Sequence, residues 1–251
     1  MKEIYHGYYA TRIYLPLSRL SRSWRRFFRH LRGKPGPFLQ NIRLPGISWK
    51  ECTRQRAIKI WEKKEENGNV RISELAILSA LAADCINGSN LFEIGTFNGR
   101  TTINLALNSP AQCRIFTLDL PPDLETPSST AKSERPICKK ALPGSRYEKY
   151  RMICPAAVKK IQQLFGNSAA FDYSPYKGSC SLVFVDGSHA YDYVVSDSRA
   201  AMDLVCKDGI IIWHDYGIWE EVTRALEALE MQKGWGLRNI SGTSLVYWRK
   251  V

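Results

Sequence analysis

Two aspartates and two histidines carry the chemistry that can be read first. Leu182-Val183-Phe184-Val185 is an apolar run that ends in Asp186-Gly187-Ser188-His189, and Ile210-Ile211-Ile212-Trp213 is another that ends in His214-Asp215-Tyr216. Each run has the length and the β-branched and aromatic content of a buried strand. Asp186 and Asp215 stand 29 residues apart, the span of one strand–helix–strand unit. A right-handed crossover lays two such strands side by side with their C-terminal ends on one edge. Two carboxylates brought together there repel unless one is protonated or a cation bridges them. A hard divalent ion such as Mg²⁺ suits two carboxylates with substrate oxygens and water. Such an ion would hold a hydroxyl and lower its pKa, and His189, three residues past Asp186, is placed to take the proton.

A second constellation lies upstream. Leu91 to Ile94 reads as a buried strand, Gly95 to Gly99 as a glycine turn, and Arg100 to Leu107 as the start of a helix. A strand that turns sharply into a helix aims the helix's first amides at the end of the sheet, where they bind a carboxylate or phosphate. Gly95 and Gly99 let the backbone bend and a ligand approach closely. The pattern is Glu93-x-Gly95-x-x-x-Gly99, which departs from the Gly-x-Gly-x-x-Gly of dinucleotide sites. Arg114 to Asp119 reads as a second strand with an acid at its C-terminal end, 26 residues past Glu93. An acid in that position can accept hydrogen bonds from both hydroxyls of a ribose.

These residues need elements to hold them. Residues 73–86 read as a helix with Ser73 as its N-cap, and 52–67 as a charged helix with Ile58 and Trp61 inward. Lys159 to Phe165 reads as a third strand with Gly166-Asn167-Ser168 at its end. Helices are expected over 191–205 and 219–232, and a hairpin from Leu237–Ile240 and Ser244–Trp248 about Ser241-Gly242-Thr243. The alternation of strand and helix predicts an α/β fold with a doubly wound sheet. Pro121 to Tyr150 is long, polar and rich in proline, the kind of loop that covers a site.

The glycine turn, with an acid two residues before its first glycine, resembles the first motif of class I S-adenosylmethionine (SAM)-dependent methyltransferases. Val185-Asp186-Gly187-Ser188-His189-x-Tyr191 and Trp213-His214-Asp215-Tyr216 look like segments of one bacterial group of that class, which includes metal-dependent O-methyltransferases of macrolide sugars. The resemblance covers roughly residues 70–250. It implies a mostly parallel sheet of seven strands with a C-terminal antiparallel hairpin. It implies that Glu93, Gly95, Thr96, Asn98, Gly99, Asp119, Asn167, Ser168 and Asp186 hold S-adenosyl-L-methionine. Asp186 and Asp215 would bind a divalent metal, Mg²⁺ or Mn²⁺, with His189 as the base. Leu164-Phe165-Gly166-Asn167-Ser168 resembles a segment near the adenine, with Asn167 where that family more often has an acid. Related enzymes often place a second acid or an amide directly after the fifth-strand aspartate, and here that residue is Tyr216. His214 is then the candidate third ligand, which shifts preference toward Mn²⁺ or Fe²⁺. The expected activity is methyl transfer to a hydroxyl of a small acceptor, a sugar or glycosylated natural product. Two alternatives stand beside it. A dinucleotide-dependent oxidoreductase is disfavoured by the glycine spacing and the terminal hairpin. A non-catalytic SAM-binding or membrane-associated interaction protein is favoured by the N-terminal arm.

That arm holds most of the charge. The 251-residue chain carries a net charge of +12, yet residues 1–50 contain eleven Lys/Arg and one acid. The remainder, 51–251, is nearly neutral and reads as the methyltransferase domain, which argues against a nucleic-acid partner gripped through its phosphates. Within the arm, Leu20, Trp24, Phe27, Phe28 and Leu31 share one helix face, with arginines over the rest. Such a helix over 12–34 could lie on an anionic membrane surface, dock on its own domain, or join a homo-oligomer. The seven scattered cysteines include no Cys-x-x-Cys and suit a reducing compartment. No apolar run is long enough for a bilayer and no secretory leader is evident, so a cytoplasmic location is expected, with peripheral membrane contact as a variant.

Overall fold

A computed structural model of the chain describes Tyr5–His6, residues 42–122 without Arg56 and Asn67, and residues 142–251. The helix expected over 12–34 and most of the long polar loop lie outside the described residues.

The strands are β1 (Tyr5–His6), β2 (Gly46–Ile47), β3 (Lys59–Ile60), β4 (Asn90–Ile94), β5 (Arg114–Asp119), β6 (Ile161–Phe165), β7 (Cys180–Val185), β8 (Val205–Trp213), β9 (Arg238–Ile240) and β10 (Val246–Arg249). The helices are α1 (Trp49–Cys52), α2 (Ile72–Ala83), α3 (Arg100–Asn108), α4 (Ser145–Glu148), α5 (Pro155–Val158), α6 (Tyr191–Leu204) and α7 (Glu220–Lys233). Among the described residues, eight strands form one sheet in the order β2-β9-β10-β8-β7-β4-β5-β6, and β1 and β3 form a separate pair. The block from β8 to β6 is parallel. β10 runs antiparallel to both β8 and β9, which is the expected terminal hairpin.

The sheet has one strand more than the seven expected. Gly46–Ile47 lies parallel to β9, and the Asn239 and Ser241 N–H groups donate to the Pro45 and Ile47 carbonyls at 2.9 Å. Alternation along the central strands fills two cores. Leu182, Phe184, Ile210 and Ile212 face Leu75, Leu78 and Ile103 of α2 and α3. Val183, Val185, Ile211 and Trp213 face Val194 and Leu226 of α6 and α7. Strands buried on both faces read as continuous apolar runs, which is why β7 and β8 are so legible.

The described residues of 53–66 do not form the helix expected over 52–67; among them β3 is regular and the rest run as irregular chain. Ile58 and Trp61 are buried as anticipated, but their backbone is satisfied differently. On α3, Asn108 pairs through its amide with the Lys59 N–H and C=O, both at 2.8 Å. Asn104, one turn earlier, does the same with Trp61 at 2.8 and 3.0 Å. Two side-chain amides thus act as a strand partner, and the helical alternative loses its advantage. Ser73 is not the cap of α2 either. The helix begins at Ile72, and the Arg71 N–H donates to Glu74 Oε2 at 3.1 Å. Among the described residues no helix is long and apolar enough to cross a membrane.

Candidate active site

β4 and β7 are neighbours although β5 and β6 intervene in the chain, so the strand order reverses between them. In an open α/β sheet the ligand crevice lies outside the strand ends at that reversal. Asp186 follows β7, and His214 and Asp215 follow β8, its neighbour through α6.

The four residues converge. His189 Nε2 lies 2.7 Å from Asp215 Oδ2. His214 Nδ1 lies 2.7 Å from Asp186 Oδ1 and 3.4 Å from Asp215 Oδ2. A fifth residue, not foreseen, joins them: Glu74 Oε2 lies 3.5 Å from His214 Nε2. Its other oxygen accepts from the Ser244 N–H at 2.8 Å and the Ser244 hydroxyl at 2.9 Å. The available signal was an acid inside an otherwise apolar helix, because a wholly buried carboxylate needs partners. Trp219 was also unforeseen as a site residue. Its indole stacks on the His189 ring with centroids 4.3 Å apart and planes at 7°.

Asp215 is held in a left-handed backbone conformation, φ +64°. For a residue other than glycine such strain amounts to about 1–3 kcal/mol, and it persists where the surroundings fix it. Here the Tyr216 N–H donates to Ser244, and the Ile218 and Trp219 N–H groups donate to the Asp215 carbonyl, all at 3.1 Å. The Tyr216 hydroxyl serves residues of the N-terminal segment and α7, accepting from the Arg43 and Leu44 N–H groups at 3.0 and 2.9 Å and donating to Glu227 at 2.9 Å.

The electrostatics follow from burial and pairing. Burial alone would raise Asp215, but the His214 charge and hydrogen bonds from both histidines drive it well below the usual carboxylate range. Asp186 is raised, since burial outweighs the help of His214. Burial works against a charged His214, yet Asp186 and Asp215 lift it well above its usual value. Glu74 falls to about 2: its desolvation is overcome by His214, Arg71 and Ser244. One oxygen each of Asp186 and Asp215 and one nitrogen of His214 lie within 4.8 Å of one another. This donor set fits a divalent ion in kind. Both His214 nitrogens already face carboxylates, so an ion bound there must displace a proton.

The glycine turn owes its glycines to neighbouring chain. A Cβ at Gly95 (φ +99°) would lie 2.1 Å from the Asp186 carbonyl oxygen, and one at Gly99 (φ +80°) 2.6 Å from Tyr147 Cδ1. Asp119 pins the turn: Oδ2 accepts the Phe97 N–H at 2.6 Å and Oδ1 the Leu120 N–H at 2.7 Å. Below lies a buried chain of hydroxyls. Gln163 Nε2 donates to Thr96 Oγ1 at 2.9 Å, Thr96 and Thr117 hydroxyls meet at 2.7 Å, and Thr117 and Thr102 donate to Glu93 Oε2 at 2.6 and 2.5 Å. Glu93 Oε1 has no protein partner. Burial pushes Glu93 up to about 8 and Asp119 to about 6.

Asn98 is turned into the protein, where its Oδ1 accepts from the Arg100 N–H at 3.2 Å and from Asn69 Nδ2 at 3.1 Å. The structure therefore gives it the role of holding the start of α3. Asn167 and Ser168 sit just past β6. The Asn167 side chain accepts from the Ala169 N–H at 3.1 Å, and the Ser168 carbonyl from the Tyr173 hydroxyl at 3.1 Å. Asp197 of α6 faces the Ser168 hydroxyl, is 1% exposed, and closes no hydrogen bond of ordinary geometry.

Residues 92–216, which contain every site residue expected from the sequence, match the family model described as a methyltransferase domain, Methyltransf_24. With the doubly wound sheet and its terminal hairpin, that match makes the chain a class I SAM-dependent methyltransferase. The dinucleotide-dependent oxidoreductase alternative is thereby set aside. Solved structures share the fold. The O-methyltransferase NovP is 16% identical over 72% of this chain and 81% of its own, with a TM-score of 0.56. The S-adenosylhomocysteine-bound methyltransferase PaMTH1 of Podospora anserina is 15% identical over 73% and 80%, with a TM-score of 0.54. CalS11, a calicheamicin methyltransferase, is 15% identical over 70% and 77%, with a TM-score of 0.50. No curated protein matches the sequence.

Proposed function

We propose that the chain transfers a methyl group to a hydroxyl of a small acceptor, a sugar or glycosylated natural product, with a divalent metal assisting. The observation that carries this reading is His189 held 2.7 Å from Asp215, at the strand-order reversal beside the glycine turn. SAM supplies an electrophilic methyl on a sulfonium. The protein's part is to bind the donor, hold the acceptor oxygen in line, and remove its proton. His189 takes that proton; Asp215 orients the ring and stabilises the imidazolium that forms. The buried, unpartnered Glu93 Oε1 suits a cationic donor, and Gly95, Thr96 and Gly99 shape the turn that would lie against it. Asp119 keeps lone pairs for ribose hydroxyls, while Asn167, Ser168 and Asp186 border the same crevice. Asp186 and Asp215, with His214 as third donor, would hold the metal, which lowers the pKa of a bound hydroxyl. The likeness to the O-methyltransferase NovP and to the calicheamicin methyltransferase CalS11 supports an oxygen acceptor and a natural product respectively.

The remaining parts of the reading concern surroundings. The body's near-neutral charge speaks against nucleic acid, and the basic residues 12–34 speak for peripheral contact of a cytoplasmic enzyme with anionic membrane, or for a homo-oligomer. The test is His189→Ala. Turnover, followed as S-adenosylhomocysteine release with a panel of free-hydroxyl glycosides, should vanish, while SAM binding by calorimetry stays intact. A variant that turns over as wild type removes His189 as the base.

A further inference from the structure

We propose that Trp219 is the positioning residue of this site, fixing the plane of the His189 ring so that its Nε2 stays on Asp215. This goes beyond the assignment of His189 as base, on which it rests for its catalytic meaning.

An imidazole held at one nitrogen by a single carboxylate can still swing about that hydrogen bond. His189 is held on its edge and on its face. Asp215 holds its edge at 2.7 Å, and Trp219 covers its face at 4.3 Å with planes within 7° of parallel. The two constraints come from one local device. The Trp219 N–H donates to the Asp215 carbonyl at 3.1 Å, closing a turn that brings residue i+4 back beside residue i. The Asp215 φ of +64° starts that turn. The helix that follows anchors it, because the Thr223 N–H and hydroxyl both return to the Trp219 carbonyl at 3.0 and 2.8 Å. The Gly217 N–H in turn donates to the Thr223 hydroxyl at 2.8 Å. One short, anchored turn therefore carries both the carboxylate at the edge of the His189 ring and the indole over its face. Aromatic stacking of this kind is directional, and it excludes water from the face it covers.

The readout needs no acceptor and no turnover. In the full chain bound to S-adenosylhomocysteine, an imidazole N–H held by a carboxylate gives a downfield proton resonance, assigned to His189 by its loss in His189→Gln. That resonance should persist in wild type and in Trp219→Phe, which keeps a flat ring. In Trp219→Leu it should be lost, or exchange with solvent roughly tenfold faster, with the circular dichroism of the folded protein unchanged. Should Trp219→Leu fail to fold, Trp219→Met replaces it, and the exchange rates should rise in the order wild type, Phe, Met. Equal exchange in all variants, or no such resonance in wild type, overturns the proposal. A functional base assignment that fails would show separately, as turnover surviving in His189→Ala while the resonance pattern stands.

Discussion

Replacing Asp197 by asparagine should stabilise the protein, and only above acid pH. Asp197 is 1% exposed, and the Ser168 hydroxyl faces its carboxyl without closing a hydrogen bond of ordinary geometry. Burial raises its pKa from 3.8 to about 7, outweighing the lowering by Ser168. An acid raised in this way keeps its proton in the native state after the unfolded chain has lost it. Between about pH 4 and about pH 7 the native state then binds more protons, so stability falls as pH rises through that window and levels off above it. A displacement of roughly three pH units at ~1.4 kcal/mol each sets a ceiling of about 4 kcal/mol. Water penetration and relaxation lower the effective value, and about 2 kcal/mol is the working expectation. Asparagine has the same shape and no proton to lose. Urea unfolding of SAM-free protein at a series of pH values should show the two proteins nearly equal near pH 4. The variant should then pull ahead by about 2 kcal/mol near pH 8. The slope contributed by Glu93 and Asp119 appears in both proteins and cancels in the difference. A gap that does not change with pH, or a wild type that is the more stable at pH 8, would refute the account of Asp197 as a buried, uncompensated carboxyl.

Gly95→Ala should cost at least about 3 kcal/mol in chemical denaturation, since a Cβ there meets the Asp186 carbonyl oxygen at 2.1 Å and the residue needs a positive φ; a loss below about 1 kcal/mol would mean that β4 and β7 separate more easily than their packing indicates. EDTA should suppress methyl transfer and Mg²⁺ or Mn²⁺ restore it; full activity in chelator removes the metal from the mechanism. Because both His214 nitrogens face carboxylates, calorimetric Mn²⁺ affinity should rise with pH, by up to about tenfold per unit, and proton release should accompany binding; affinity independent of pH would exclude His214 as a ligand.

The parts of the molecule that could be read in advance were those in which one residue type has one job. β4, β5, β7 and β8 are buried on both faces, so their apolar runs left no ambiguity, and the aspartates and histidines at their ends were placed by topology alone. What failed was the part in which side chains replace backbone. Ile58 and Trp61 at a helical spacing suggested a helix, and only the Asn104 and Asn108 amides, some 45 residues away, make the irregular chain the better solution. Glu74 was missed because an acid in the first turn of a helix is ordinary as a cap; its second task, facing His214 Nε2 at 3.5 Å, depends on long-range packing. Asn98 carries a task that its place in a glycine turn does not announce: its amide oxygen accepts from the Arg100 N–H and from Asn69 at the start of α3.

The short pairing of Gly46–Ile47 with β9 has a practical side. It places a guard strand, drawn from the region ahead of the glycine turn, along what would otherwise be the raw margin of the sheet. Trimming the polypeptide to begin after Ile47 would bare the Asn239 and Ser241 donors and invite foreign strands to dock there. Shortened versions intended for crystallisation or assay should therefore keep residues 42–47, or they will be sticky for a reason unrelated to catalysis.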